Sequence, residues 1–295
     1  MKIGLGAVQF GLDYGISNRS GQTPLAEVQT ILSLANANGI NVIDTAAAYG
    51  ESEQVLGRAM PDKHNFRIIS KMPGFFKRSV TPSVTTEITD ALSATLDHLG
   101  VACIDGLLIH HADDLFESGG SHLMHALHAV RDAGLVKKIG VSVYTALQIE
   151  QLMAYTDIDL IQVPINLFDQ RLLHGDLLSG LKSRGIEVHA RSVFLQGLLL
   201  MDPDSLHSFF LPIHRRLAAF HAACNNAGTT PLAAALQFVL ALEAIDIVLC
   251  GVNHHRQLQE ICVAARGSNF LTETDQFSLR DDDEQFLNPA RWMLQ

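Results

Sequence analysis

Cysteine is scarce and scattered. Cys103, Cys224, Cys250 and Cys262 are the four in 295 residues, with no Cys-x-x-Cys pair, so no disulfide framework is built here and the thiols read as core residues of a reducing compartment. Basic residues are outnumbered, 21 Lys and Arg against 31 Asp and Glu for a formal charge of -10, and they form no block. That argues against nucleic acid and anionic membrane as the main partner, since both need clustered cations. No stretch keeps about 18 apolar residues free of charge. The opening MKIGLGAVQF has one lysine and a glycine-broken apolar run, without the long hydrophobic region of a secretory signal. A cytoplasmic protein acting on a small molecule, as a monomer or weak homo-oligomer, is expected. Linkers, low-complexity tracts and internal repeats are also missing, so residues 1–295 are expected to form one domain, with an enlarged segment at 191–245 and a C-terminal extension at 266–295.

What is present is an alternation. Short β-type runs, each followed by a stretch with helical apolar spacing, are the sequence form of a parallel α/β fold. The strand candidates are Lys2–Val8, Asn41–Ile43, Arg67–Ser70, Ile104–Ile109, Lys138–Val141, Leu160–Val163, Glu187–Ala190 and Asp246–Leu249. Eight of them suggest a closed (β/α)8 barrel. Gly39, Gly100, Gly134 and Gly185 each fall between an amphipathic segment and a strand, where a left-handed C-cap is wanted. Thr23-Pro24 and Thr230-Pro231 read as helix starts. The acidic run Asp281 to Glu284 reads as a solvated helix face.

Barrel active sites lie at the C-terminal ends of the strands, so polar residues just past each run carry the information. In order these are Asp44, Tyr49 in the loop beyond it, Lys71 and His110. Apolar strands have no structural need to finish on such groups, because buried charge is costly unless paired. Asp44 with Lys71 is the simplest pairing.

The segment INVIDTAAAYGESEQVLGRAM resembles the aldo-keto reductase signature, in which an Asp, a Tyr five residues on and a Gly-x-Ser-Glu helix start have fixed spacing. IISKMPG, CIDGLLIHHADD, GLVKKIGVS, IQVPINLFDQR, RSVFLQGLL, GVNHHRQLQE and LNPARW are similar to further family segments and stand in family order. The resemblance implies a TIM barrel and an NADP(H)-dependent reductase of carbonyls, with Asp44, Tyr49, Lys71 and His110 as its catalytic tetrad. The opening VQFGLDYGI resembles a bacterial branch linked to cell-surface sugar pathways, which adds a sugar derivative to the substrate candidates.

The chemistry of these residue types agrees. Reducing a carbonyl requires a hydride on carbon and a proton on oxygen. A phenol of pKa about 10 is a weak acid, and a neighbouring ammonium, Lys71, would lower that value while Asp44 neutralises the lysine. His110 would orient the substrate oxygen or share the proton transfer.

For the cofactor, the resemblance implies Gly6, Ala7, Ser142, Gln162, Arg191 and Ser192 near the nicotinamide, with Val143 where the family carries an asparagine and Arg191 where it often carries an aromatic. A planar guanidinium can also stack, and its charge would favour reduced cofactor over the oxidised, cationic ring. Gly251, Asn253, Arg256, Gln257 and Glu260 would serve the adenosine end. NADPH is the expected cofactor, with NADH possible, because Arg256 can grip a phosphate bidentately where Asn253 and Ile261 depart from the family pattern. Phe10, Tyr14, Phe75, Phe76, His111 and Phe168 are candidates for the substrate rim, together with Tyr49 and His110.

No metal is expected. His122, His125 and His128 share one helix face without a fixed acidic partner, and His254-His255 lack ligand spacing. Two other functions compete. A non-catalytic NADP(H) sensor on the same fold would bind without turnover, and a carboxylate hydrolase would need a second strand-end acid facing Asp44, which the sequence does not supply.

Overall fold

The structure is a computed structural model that describes residues 1–60, 65–75, 80–155, 157–268, 271–272, 276 and 278–294. Eight parallel strands close on themselves in sequence order: β1 (Ile3–Gly6), β2 (Val42–Asp44), β3 (Arg67–Met72), β4 (Ile104–Ile109), β5 (Val136–Ser142), β6 (Leu160–Pro164), β7 (Glu187–Arg191) and β8 (Ile247–Gly251). The seam pairs Gly6 with Gly251. Helices α2 (Leu25–Ala37), α3 (Ser52–Ala59), α4 (Val84–Leu99), α5 (Gly120–Asp132), α6 (Ala146–Tyr155), α7 (Leu177–Ser183), α9 (Pro231–Leu240) and α10 (His255–Ala264) alternate with the strands. The one-turn α1 (Val8–Gly11) and α8 (His214–Asn226) are additions to that plan.

The inward and outward parity of the strands explains the two cores. Val42, Ile69, Leu108, Leu160, Ile247 and Leu249 form a small cluster of their own, the apolar filling of the barrel. The alternate residues, such as Leu5, Ile43 and Ile68, belong to the large outer cluster that the helices cover. Glycine permits close approach inside: a Cβ on Gly140 would lie 1.9 Å from the Leu160 carbonyl oxygen. The register carries inward parity from Gly6 through Asp44 and Ile69 to Gly106, then from Gly140 to Leu160 and from Gln162 to His189.

Several sequence expectations shift in position. Val8 does not extend β1 but starts α1, which turns Gln9 toward the strand ends. Strands β2 and β3 run further than expected, so Asp44 is the last residue of β2 and Lys71 lies within β3. Thr230 caps α9 through the Ala233 N–H, whereas Thr23 is buried and caps nothing; α2 has Pro24 at its N-cap. Gly100 ends α4 at φ 65°, as its position predicted.

The acidic run is only in part a solvated face, Asp282 and Asp283 being exposed. Asp281 pairs with Arg216 and bridges to Asp169, Asp283 caps the short helix Glu284–Leu287, and Glu284 pairs with Arg171 and Arg291. Charges that read as solubility in the sequence fasten the C-terminal segment onto the β6 loop. No helix among the described residues is long and apolar enough to cross a membrane.

Candidate active site

Asp44 and Lys71 reach the barrel mouth from adjacent strands, and both are almost fully buried. Lys71 Nζ donates to Asp44 Oδ1 and Oδ2 at 2.7 and 2.6 Å and to the Thr45 carbonyl at 3.0 Å, so all three ammonium protons are placed. Burial lowers the lysine's pKa and Asp44 opposes the shift. The Tyr49 ring centroid lies 5.0 Å from Nζ. His110 packs edge-on to Tyr49 at 5.8 Å and stacks on His111 at 4.9 Å. The four expected catalytic side chains are therefore brought together.

Their electrostatics differ from the sequence expectation. Tyr49 is pushed well above the usual phenol range, first by burial and then by Asp44, with Arg191 pulling the other way. Arg191 is a cation that acts on the phenol. Burial, with Lys71, His111 and Arg191 adding to it, drops His110 to about 3, so its imidazole is neutral. Burial and Tyr49 raise Tyr14 to about 12.

Arg191, the last residue of β7, is clamped in place. Its guanidinium lies 4.2 Å from the Tyr144 ring centroid and donates to the Val143 carbonyl at 3.0 Å and to Ser192 Oγ at 3.3 Å, while Nε has no partner. The loop that follows holds Ser192, Leu195 and Gln196 at φ 61°, 46° and 54°, left-handed values that cost non-glycine residues energy and cluster at functional sites.

These groups line one end of a cavity of about 440 Å³, whose other end is formed by Asn253, Gln257 and Glu260 at the start of α10. Gly6, Ala7, Tyr14, Ser142, Ser192 and Gly251 also line it, in agreement with the sequence. Gly251 leaves room for Gln9, whose amide a Cβ there would meet at 2.7 Å.

Other expected residues lie elsewhere. Gln162 is wholly buried behind the wall, its amide donating to Asp44 Oδ1. Phe10, Phe75 and Phe168 are buried in the outer core, because apolar rings beside strand ends find more area to bury against helices than in a wet cleft. Phe76 lies outside the described residues. His111 meets the site through His110. Arg256 is exposed and outside the cavity wall, since α10 begins at His255 and its second residue points outward. His254 caps that helix and His255 donates to Glu27 at 2.7 Å. These two histidines and Glu27 keep their ligand atoms within 4.8 Å of one another, a grouping that sequence spacing could not reveal because Glu27 comes from α2.

The sequence reading missed Tyr144, Gln9 and Asn18, which line the cavity. Tyr144 was findable, standing two residues past β5. Gln9 was findable too, standing directly after the expected first strand.

A closed parallel barrel with a buried Asp–Lys pair, a tyrosine and a neutral histidine at its mouth defines an oxidoreductase of the barrel class. The chain belongs to the Aldo/keto reductase family, which it matches over residues 2–278, and is an NAD(P)H-dependent oxidoreductase acting on carbonyls. It is 26% identical to an L-galactose dehydrogenase of Arabidopsis thaliana over 88% of this chain and 82% of that protein. It is 27% identical to an NADH-specific methylglyoxal reductase of Escherichia coli over 58% of this chain and 57% of that protein. Among solved structures, an aldo-keto reductase of Bacillus halodurans in its holo form aligns with a TM-score of 0.76 at 20% identity, covering 99% of this chain and 95% of that one. A glycerol dehydrogenase of Gluconobacter oxydans aligns at 0.71 and 23%, covering 94% and 90%.

Proposed function

We propose that the protein reduces an aldehyde or ketone, a sugar derivative among the candidates, to the alcohol, with Tyr49 as proton donor. The observation that carries this reading is the saturated Asp44–Lys71 pair beside a protonated phenol and a neutral imidazole in one cavity. The residues fit a nicotinamide cofactor: Gln9 Oε1 and Arg191 Nε are unpartnered buried atoms on lining residues. Ser142, Arg191 and Ser192 would hold its nicotinamide half, and Gly251, Asn253, Gln257 and Glu260 its adenosine half. When bound, it supplies the hydride.

The chain's own residues do the rest. Tyr49 gives its proton to the developing alkoxide, for which a phenol kept protonated at neutral pH is suited. His110, being neutral, donates an N–H to the carbonyl oxygen without surrendering a proton of its own. Lys71 and Asp44 form a rigid dipole under the ring, and Arg191 stabilises the phenolate left after transfer.

NADPH as the preferred cofactor requires Arg256 to turn inward. A specific observation favours NADH as a second reading: among the described lining residues the only lysine and arginine are Lys71 and Arg191, both at the tetrad end, while Glu260 lies at the other. Turnover of a carbonyl and sugar panel with NADPH and NADH tests both. NADPH selectivity lost in Arg256→Ala supports the first, equal or better NADH use supports the second, and binding without turnover of any member refutes catalysis in favour of a sensor.

A further inference from the structure

Barrel interiors are ordinarily filled with branched apolar side chains, yet β7 turns Glu187, His189 and Arg191 inward at successive levels. Arg191 serves the mouth. Glu187 closes the floor, accepting from Arg67 at 3.0 and 3.1 Å and from Lys138. Hydrogen bonds from His189, Lys138 and Arg67 hold its carboxyl well below the usual carboxylate range, so it accepts and does not donate. His189 lies between, 0% exposed, with Nε2 at 2.9 Å from Glu187 Oε1.

That bond needs a proton on Nε2, because the carboxylate can only accept, and it leaves Nδ1 over. Nδ1 is buried with no partner. The register neighbour of His189 on β6 is Gln162, also 0% exposed and also inward. Its amide nitrogen is committed to Asp44, and its Oε1 is likewise buried without a partner. Two orphaned polar atoms thus stand on paired residues inside one barrel. Neither is bonded to the other, and each unsatisfied group is costly. A single water between them satisfies both.

We propose that an ordered water sits inside the barrel between His189 Nδ1 and Gln162 Oε1, and that through it His189 is a positioning residue for Asp44. The hydrogen-bonded column then runs from the floor ion pairs through Glu187, His189, water and Gln162 to the Asp44–Lys71 pair. It holds Gln162 against Asp44 and so fixes the carboxylate that orients Lys71 beneath Tyr49. The kinetic consequence rests on the reductase reading; the water does not.

A high-resolution crystal structure of the full chain tests the water directly. Density within about 3.2 Å of both atoms is expected; a direct Nδ1–Oε1 contact, or an empty gap, overturns the water. The second test compares His189→Leu with His189→Asn, which keeps an acceptor. In the Leu crystal the Gln162 amide should leave Asp44, and kcat should fall about tenfold with KM for the carbonyl within about twofold, while Asn recovers most of the loss. An unmoved Gln162, or a folded Leu variant with wild-type kcat, overturns the positioning role. If Leu fails to fold, the Asn variant decides: a displaced Gln162 despite the retained acceptor counts against the column. A wild type without turnover would sink the reductase reading and leave the crystallographic arms decisive.

Discussion

Replacing Lys71 with Met separates the energetics of the site from its catalysis. In the native protein Nζ meets both Asp44 oxygens at 2.6–2.7 Å with only 2% of the lysine exposed. The methionine fills similar volume but strands a buried carboxylate whose remaining side-chain donor is Gln162. Breaking a buried pair from one side costs about 3–5 kcal/mol, most of it from the charge left behind. At an unfolding entropy of about 2.1 cal/mol/K per residue, that is a fall in Tm of about 5–8 °C for a chain of this length. The variant should regain stability relative to wild type as pH falls from 7 toward 4, because protonation removes the stranded charge and the unfolded state, titrating near 3.9, takes up its proton only later. Adding Asp44→Asn should restore more than half of the loss although the double variant stays inactive. Thermal unfolding at pH 5 and 7.5 checks this. A single-variant loss under about 1 kcal/mol, or a double variant no more stable than the single, would refute the assignment of the cost to Asp44.

Four further outcomes follow from the same geometry. Tyr49→Phe should fold and bind cofactor normally, by fluorescence titration, yet lose at least about a hundredfold in kcat; turnover near wild type would remove Tyr49 as the acid. Because His110 stays neutral down to about 3, kcat/KM between pH 5 and 8 should show no limb near 6.5, and a limb there that His110→Gln abolishes would contradict it. The same depression means the unfolded chain binds this proton first as pH falls below about 6.5, so His110→Gln should flatten part of the wild type's acid-side loss of stability. Arg191→Phe should raise the affinity for oxidised relative to reduced cofactor, since a charged guanidinium opposes a cationic ring, and an unchanged ratio of dissociation constants would exclude that contact.

The fold was legible wherever local chemistry decides the outcome. Eight strands, the glycine stops and the cap at Thr230 depend on a few neighbouring residues, and all appear near their expected places. The gathering of Asp44, Tyr49, Lys71 and His110 was legible for another reason, since strand ends converge in any closed barrel. What failed depended on distant packing. Phe10 and Phe75 look like rim residues until the helices that cover them are in place. The ladder of Glu187, His189 and Arg191 was visible as polar alternation in EVHAR, but only the register with β6 gives it an inward sense.

The seam where β1 meets β8 also sets the order of assembly. Gly6 and Gly251 are register partners, and both line the cavity. On a ribosome adding about 5–20 residues each second, β1 waits about 12–50 s for the strand that completes it. Only a finished chain with its seam shut can bind there, so any ligand spanning those two glycines draws nascent molecules toward closure by mass action. A cofactor lying across the seam would then hold the barrel shut as well as take part in turnover.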